Sequence, residues 1–377
     1  MAIRSREYKD FSLRLHDKGS RRPIVGQFEL THNCNLACQH CYVVNEPQRQ
    51  ELSYSELCRI FDEVYEQGCF WLCFTGGEPL LRKDFLDIYS YAYKKGFLIS
   101  IFTNATLFNE NIARHLKDFP PFYIEVTLNG VTKKTYELIS QRPGSFKAAM
   151  RGIELIRKFK LPLKLKCQIM TLNIDEIDLM RKFYDKINMA FLCSLIINPR
   201  LDGSTQTISL RLPIEKILEL RRQKEGLEVE EAECSVSSKD ILGMSILPDK
   251  KEDIFLEEDL SFDEGNESNL ASDALFRCPG GTWAFYVNPY GELCFCNSLR
   301  EPAWDLRKNS FKQGFYEFFP KIRSEKFKTD SKCRDCDIKS NCLSCPARAY
   351  LETGDREAPL PYYCELAQKN RKKEIRT

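Results

Sequence analysis

Three closely spaced cysteines, Cys34-x3-Cys38-x2-Cys41, constrain this chain more than any other feature. Three thiolates on one short loop can bind three irons of a cubane cluster and leave the fourth iron open. A structural zinc site needs four ligands, and His32 or His40 could supply the fourth. The spacing therefore indicates a metal-binding loop and favours an iron–sulfur cluster over zinc.

The overall composition is that of a soluble globular protein. The chain has 377 residues, 43% hydrophobic and 29% charged, with a net charge of +2. This charge gives no reason to expect nucleic acid or a membrane surface as a partner. The longest apolar runs, such as Ala190–Ile197, are too short to span a bilayer, and residues 1–22 lack the apolar core of a secretion signal. We expect a cytoplasmic protein, in which the clustered members of its 17 cysteines act as metal ligands more readily than as disulfides. The six scattered cysteines are expected to be small buried apolar residues: Cys58, Cys69, Cys73, Cys167, Cys193 and Cys234.

Short apolar runs alternate with helical patterns from Ile24 to Ile197, and this alternation predicts parallel βαβ units. Ser53 and Glu56 form a capping box that predicts one helix start. Six such units predict an α/β fold, a partial (β/α)6 TIM-like barrel whose strand ends share one site. The predicted strands are Ile24–Leu30, Phe70–Thr75, Leu98–Thr103, Tyr123–Leu128, Leu163–Met170 and Phe191–Ile197, and the helices include Ser53–Gln67, Asp84–Lys95, Ser145–Phe159 and Ile174–Lys186.

The remaining chain divides by composition into three further parts. Residues 1–22 form a basic N-terminal arm before the barrel at 23–226. Residues 227–275 predict a solvated linker or flap, because Asp249–Asp273 contains ten acidic residues and two lysines. From 276 to 377 we expect a small cysteine-rich domain with a β-hairpin around Asn288–Gly291, held together by metal as much as by apolar packing.

The cysteine loop and the predicted strand ends together resemble the radical S-adenosylmethionine (SAM) superfamily. An aromatic residue follows the third cysteine, Gly-Gly-Glu-Pro follows the second strand, and polar residues follow the next two strands. The resemblance implies a [4Fe–4S] cluster that binds SAM, with Glu78 accepting a hydrogen bond from the SAM ammonium. The implied SAM contacts are Tyr42, Gly76, Gly77, Glu78, Pro79, Asn104, Thr127 and Asn129. Relatives usually have Gly where this chain has Ala105 and Asp where it has Asn129, so those strand-end residues could instead be ordinary turn residues.

The C-terminal cysteines resemble the SPASM domain, which follows the radical SAM barrel in many peptide- and protein-modifying enzymes. They are Cys278, Cys294, Cys296, Cys333, Cys336, Cys342, Cys345 and Cys364. The resemblance implies two auxiliary [4Fe–4S] clusters. The outer one takes Cys333, Cys336, Cys342 and Cys364, and the inner one takes Cys278, Cys296 and Cys345.

Two questions about these cysteines stay open. Cys294 could complete the inner cluster, but Cys294 and Cys296 would point to opposite faces of a strand, so an open or non-cysteine fourth position is the alternative. Two Cys-x2-Cys pairs also fit a zinc ribbon.

The resemblance implies a 5′-deoxyadenosyl radical that abstracts hydrogen from a substrate. SPASM relatives favour a ribosomally made peptide, which would receive a crosslink, a thioether or an oxidation. The alternatives are a small molecule of tetrapyrrole or amino-sugar metabolism, and an iron–sulfur protein without SAM chemistry. Because strand one begins near Ile24, we expect the leader of such a peptide to be recognised by a separate leader-binding protein or by a surface of the barrel and the acidic flap. An electron donor such as flavodoxin or ferredoxin is the other implied partner.

Overall fold

The structure is a computed structural model that describes residues 21–225, 254–256, 273–278, 280–339 and 342–374. Most of the predicted basic arm and most of the predicted acidic segment lie outside these residues. Within the described part of the chain, we find no helix that is long and apolar enough to cross a membrane.

Six parallel strands in sequence order form the predicted partial barrel, and the α/β prediction is confirmed. The strands are β1 (Val25–Thr31), β2 (Trp71–Gly76), β3 (Leu98–Thr103), β4 (Tyr123–Thr127), β5 (Leu163–Gln168) and β6 (Phe191–Ser194). The helices are α1 (Tyr54–Glu66), α2 (Phe85–Lys95), α3 (Glu110–Asp118), α4 (Lys133–Ser140), α5 (Ser145–Lys158), α6 (Ile177–Lys186) and α7 (Ile214–Glu225). The capping box of Ser53 and Glu56 forms as predicted at the start of α1.

The C-terminal hairpin continues the barrel sheet instead of forming a separate one. Strands β8 (Ala284–Val287) and β9 (Glu292–Cys294) make the predicted hairpin, and β8 pairs in parallel with β1. Strand β10 (Trp304–Asp305) then pairs with β9. Barrel and C-terminal unit therefore share one hydrogen-bonded sheet, and the domain boundaries drawn from sequence stay predictions.

The prediction of an unpacked linker at 227–275 is wrong for two short pieces of it. Strand β7 (Ile254–Leu256) pairs in parallel with β6 at the far end of the sheet. Ala274 and Leu275 are buried, and Ala274 forms a β-bridge with Lys326. Backbone pairing of β7 with β6 and the burial of Ala274 and Leu275 connect parts of this acidic stretch to the rest of the fold, which its net charge did not indicate.

An aromatic core joins the first part of the C-terminal unit to the barrel. Its helical segment α8 runs through Phe311–Gln313, Gly314–Phe318 and Phe319–Arg323, with a π-helical middle. Phe315 is fully buried and its ring contacts Phe285, Phe311 and Phe319. These side chains belong to the same hydrophobic cluster as the barrel core. Apolar packing therefore contributes more to this part than the cysteine count predicted. Helices α9 (Pro346–Thr353) and α10 (Pro361–Glu374) end the described chain.

Candidate functional site

The loop after β1 brings Cys34, Cys38 and Cys41, here called the loop trio, to the C-terminal edge of the parallel sheet. All three side chains line one open cleft of about 2020 Å³. The backbone N–H of Leu36 donates to the Cys34 Sγ at 3.4 Å, and the Asn104 side chain approaches the same sulfur at 3.8 Å. The loop therefore presents its sulfurs to the cleft, with polar donors already turned toward one of them.

The chemistry of the loop trio fits a cationic cluster. Burial raises the pKa of Cys34 to about 11. Burial also raises the pKa of Cys38, and the neighbouring thiols of Cys41 and Cys34 raise it further. Three grouped thiols held above their ordinary pKa become thiolates only when positive charge compensates them, which iron supplies.

The spacing of the side chains counts against zinc. Sulfurs around one zinc lie roughly 3.8 Å apart, given Zn–S bonds of about 2.3 Å in a tetrahedron. Among the described residues, no three His, Cys, Asp or Glu side chains converge in a way that would hold a single metal ion. In a cubane each cysteine binds a different iron, so the cysteine sulfurs lie farther apart than they do around one zinc ion. The described cysteines are therefore not arranged around a single zinc ion.

Gly76 and Gly77 support the cysteine loop by close backbone packing. Gly76 has φ of +141°, and a Cβ there would lie 2.2 Å from the carbonyl oxygen of Thr31. A Cβ on Gly77 would lie 2.3 Å from the Asn33 carbonyl oxygen, which accepts a hydrogen bond from the Glu78 N–H at 2.9 Å. Larger side chains would push the loop away, so these glycines fix the position of the loop trio. Both also line the cleft.

Glu78 lies fully buried at the junction between the ends of β2 and β3. Its side chain is fully buried and accepts hydrogen bonds from the Thr103 hydroxyl (2.7 Å), the Asn104 N–H (2.8 Å) and the Leu80 N–H (3.1 Å). Burial raises its pKa to about 7. Neither Glu78 nor Pro79 is among the described residues that line the cleft. Glu78 therefore ties the end of β2 to the end of β3, and contact with the SAM ammonium stays a prediction.

The other predicted SAM contacts do line the cleft: Tyr42, Asn104, Thr127 and Asn129. Asn129 accepts the Gln168 N–H at 2.8 Å, and its amide nitrogen lies 3.3 Å from His40 Nε2. Each of these side chains stands at the end of a strand or on the cysteine loop, as the barrel prediction requires.

Sequence reasoning missed His40 as a cleft residue and treated it only as a possible zinc ligand. His40 lines the cleft, and its buried Nδ1 has no hydrogen-bond partner among the described residues. Burial lowers its pKa to about 4, so the ring is neutral at pH 7. Its place between Cys38 and Cys41 was the signal that could have identified it.

His32, the other possible zinc ligand, instead belongs to a buried ionic network. Its Nε2 lies 2.7 Å from the Glu29 carboxylate, and its Nδ1 lies 3.2 Å from the Tyr290 hydroxyl. Arg300 donates two hydrogen bonds to Glu29, at 3.0 and 3.1 Å, and one to the Tyr286 hydroxyl. Arg300 and His32 hold the pKa of Glu29 at about 2, against the effect of its burial. The network therefore links β1 to the C-terminal hairpin beneath the cysteine loop.

Two sets of C-terminal cysteine thiols lie close enough for electrostatic interaction within each set. The neighbouring thiols of Cys278 and Cys345, together with burial, raise the pKa of Cys296 to about 12. These three, here called the inner trio, line the same cleft as the loop trio.

The outer four, Cys333, Cys336, Cys342 and Cys364, group in the same way. Burial and the thiols of the other three raise the pKa of Cys342 to about 11. All four also line the cleft.

Cys294 is fully buried and is not among the described residues that line the cleft. Its Sγ lies 3.7 Å from the Glu292 carbonyl oxygen and 3.9 Å from that of Arg300. Burial raises the pKa of Cys294 to about 12, and the nearby Cys296 thiol contributes to this rise. A role for Cys294 in the inner cluster stays a prediction.

Comparison with known proteins identifies relatives of both the barrel and the whole chain. Residues 28–186 match the model of the radical SAM superfamily. The AdoMet-dependent heme synthase of Methanosarcina barkeri is 28% identical over 347 residues, covering 90% of this chain and 96% of that protein. The antilisterial bacteriocin subtilosin biosynthesis protein AlbA of Bacillus subtilis is 27% identical over 172 residues, covering 45% of this chain and 38% of that protein.

A solved structure shares the complete architecture. Streptococcus suis SuiB bound to S-adenosylmethionine superposes with a TM-score of 0.68 at 15% identity, covering 96% of this chain and 81% of that one. SuiB has also been solved bound to its precursor peptide SuiA. At this identity the likeness shows the fold, including the arrangement of barrel and C-terminal unit.

Proposed function

We propose that this chain, a member of the radical SAM superfamily, uses SAM at the loop trio to abstract hydrogen from a substrate held in the cleft. The observation that carries this proposal is that the loop trio and the inner trio line the same cleft, at the C-terminal ends of the barrel strands. A [4Fe–4S] cluster held by the loop trio and reduced by an external electron donor would supply the electron for cleavage of bound SAM to methionine and a 5′-deoxyadenosyl radical.

The residues around the loop trio have separate tasks in this proposal. Gly76 and Gly77 hold the loop against β2, so that the sulfurs keep a fixed distance from the strand ends. Asn104, Thr127 and Asn129 offer uncharged polar atoms to SAM from three neighbouring strand ends. Polar atoms that are already in place orient a reactant without a further loss of entropy when it reacts.

We propose a tetrapyrrole or similar planar, carboxylate-bearing small molecule as the substrate. This proposal is supported by the lengths of the two sequence matches. The match to the heme synthase covers 90% of this chain, whereas the match to AlbA covers 45% of it. The cleft itself offers aromatic surface from Phe276 and Phe327 and positive charge from Arg277 and Arg348. Aromatic walls suit a flat apolar ring, and guanidinium groups suit carboxylates.

The test is anaerobic incubation of the reconstituted protein with SAM, dithionite and iron coproporphyrin III, with mass spectrometry of the porphyrin and of 5′-deoxyadenosine. We expect 5′-deoxyadenosine and a porphyrin mass change in the same sample. A variant with Cys34, Cys38 and Cys41 replaced by Ala is the control and should produce neither. Wild-type levels of 5′-deoxyadenosine from that variant would contradict the proposed radical chemistry.

A peptide substrate is the second candidate, and the SuiB fold favours it because that protein has been solved with a bound precursor peptide. It is tested with short peptides encoded next to this gene, with and without any adjacent leader-binding protein. Modification of such a peptide, with the porphyrin unchanged under every condition, would replace the first substrate proposal by the second.

A further inference from the structure

We propose that the interior of the barrel holds a subsite for one carboxylate of the substrate, and that Lys166 binds this carboxylate. On β5, Lys166 and Gln168 line the cleft, whereas Cys167 between them is buried in the hydrophobic core. Glu125 of β4 also lines the cleft. These side chains therefore stand on the inner face of the barrel strands, and the space that they face is here called the lumen. The inference rests on the proposed function and names a substrate contact within its cleft.

Aromatic side chains close the lumen at the N-terminal ends of the strands. Trp71 begins β2 and Tyr123 begins β4, both are buried, and their ring centroids lie 6.2 Å apart. Phe102 of β3 lines the cleft, and its ring centroid lies 6.2 Å from that of Tyr123. The indole N–H of Trp71 donates to the Ser100 hydroxyl at 2.8 Å, which fixes this floor. A ligand group that enters the lumen from the strand ends therefore meets an apolar floor.

The charged side chains that β4 and β5 direct into the lumen are two lysines and one glutamate. Glu125 and Lys164 are in register on the two strands, and the Lys164 Nζ lies 4.0 Å from the centroid of the Tyr123 ring. Lys166 is half-buried and lies one pleat nearer the strand ends, in register with Thr127. One carboxylate compensates one ammonium, so these three side chains keep a positive charge that a second carboxylate would compensate.

Glu29 of β1 does not supply this second carboxylate, although it follows the cleft-lining Gln27 by two residues. Arg300 donates two hydrogen bonds to Glu29, at 3.0 and 3.1 Å, and the His32 Nε2 lies 2.7 Å from it. The charge of Glu29 is therefore already compensated by the C-terminal hairpin and the cysteine loop.

The charges of Glu125 and Lys166 reach the middle of the lumen. Burial raises the pKa of the Cys73 thiol on β2, Glu125 adds to this rise, and Lys166 opposes it. Strand β3 separates β2 from β4, and β5 lies one strand further along the sheet. These charges therefore act across the lumen, where the Lys166 ammonium can meet an anionic group that projects into the barrel.

SAM carries a carboxylate of its own, so the same chemistry could come from SAM. The predicted SAM contacts lie on the cysteine loop and at the strand ends, with Thr127 among them. Glu125 stands one pleat deeper than Thr127, and its carboxylate attracts the Lys166 ammonium toward the floor. This depth favours a flexible carboxylate arm of the substrate over SAM, and the experiment separates the two.

The first test measures the reactivity of Lys166 in the anaerobically reconstituted wild-type protein, by acetylation with an activated ester and peptide mass spectrometry. The probe is glutarate, a short dicarboxylate, and its uncharged control is glutaramide. We expect glutarate to protect Lys166 and glutaramide to leave its acetylation unchanged. Lys332, an exposed lysine that also lines the cleft, is the internal control and should react equally in all samples. Equal acetylation of Lys166 with both compounds, or protection by SAM alone, would overturn the inference.

The second test measures binding of iron coproporphyrin III and of its tetramethyl ester by equilibrium dialysis. Lys166→Met should weaken binding of the acid about tenfold to hundredfold, because a charge-assisted hydrogen bond is lost, and change binding of the ester by less than about twofold. Glu125→Gln should tighten binding of the acid, because it removes the carboxylate that competes for the lysines. Equal losses for acid and ester in Lys166→Met, or weaker binding of the acid in Glu125→Gln, would overturn the inference.

Failure of this inference and failure of the proposed function give different results. If glutarate protects Lys166 but iron coproporphyrin III neither binds nor is modified, the porphyrin substrate is refuted and the carboxylate subsite stands. If the porphyrin is modified but neither it nor glutarate protects Lys166, the proposed function stands and the carboxylate subsite is refuted.

Discussion

Two neighbouring segments of the C-terminal unit differ in how much apolar side-chain surface they bury. From Ala284 to Arg323 the chain forms a hairpin and a helical segment around fully buried phenylalanines, continuous with the barrel core. From Arg323 to Cys345 no described residue is buried, and three of the outer four lie there. A short segment without a core needs another source of stability, and we expect metal ligation to supply it. The first segment should therefore fold without metal, whereas the second should not.

The largest effect should come from truncating the aromatic core. Phe315→Ala removes a fully buried ring that contacts three other phenylalanines, and should lower the free energy of unfolding by about 3–5 kcal/mol. The matched control is Phe327→Ala in the cysteine-rich segment, where the ring is only partly buried and the loss should be clearly smaller. Both are measured by urea denaturation of metal-free protein. Equal losses of unfolding free energy from the two substitutions would contradict the proposed difference between the two segments.

Arg300→Met tests the ionic join between this aromatic segment and the barrel. It leaves the buried Glu29 carboxylate without its bidentate partner and should cost about 3–5 kcal/mol at pH 7. Glu29, with its pKa at about 2, stabilises the wild-type fold above its unfolded pKa and loses this contribution as the pH falls through 2. Adding Glu29→Gln should restore part of the lost stability. If the double variant is no more stable than Arg300→Met alone, charge burial is not the cause.

Glu78 gives the opposite pH dependence inside the barrel. Its pKa is raised from 4.5 to about 7, so its contribution to stability is present below 4.5 and is lost as the pH rises through 7. The loss should reach about 3 kcal/mol across that window. The difference in unfolding free energy between wild type and Glu78→Gln, measured from pH 5 to pH 8, isolates this effect. A pH-independent difference would show that neighbouring donors keep Glu78 ionised throughout.

The smallest effect on the barrel should come from the outer four. Replacing Cys333 and Cys336 by Ala should remove about four irons and make residues 323–345 sensitive to protease. The segment packs against the rest of the chain through partly buried side chains such as Phe327 and Leu343. The unfolding free energy of the barrel itself should therefore change by less than about 1 kcal/mol. Iron analysis, limited proteolysis and denaturation of the same samples check this. If the barrel unfolds together with residues 323–345, the two segments of the C-terminal unit do not differ in their dependence on metal as we expect.

Local patterns in the sequence were enough to predict the six barrel strands and the polar residues at their ends. Leu98–Thr103 was predicted with the bounds that β3 has, because a short apolar run and its flanking signals are local. Thr127 and the loop trio follow from the same rule, since parallel strands end at one edge.

Contacts between distant parts of the chain were not predictable from a single sequence. Nothing near Glu29 in sequence indicates that Arg300 binds it, and nothing near Cys294 indicates that its thiol is enclosed. The enclosure of Glu78 likewise depends on Thr103 and Asn104, which reach it only once β2 and β3 are paired. Such residues are set by tertiary packing, which a local pattern does not encode.

The pairing of β8 with β1 has a consequence for the order in which the chain can be completed during synthesis. Strand β1 is made first, yet one of its two edges receives its partner only after the ribosome has passed Val287. Until then, the backbone N–H and C=O groups along that edge are available to any other strand, including one from another chain. Nascent barrels on neighbouring ribosomes therefore carry a matching unpaired edge for most of their synthesis, and a fragment that stops after β6 should form aggregates through it.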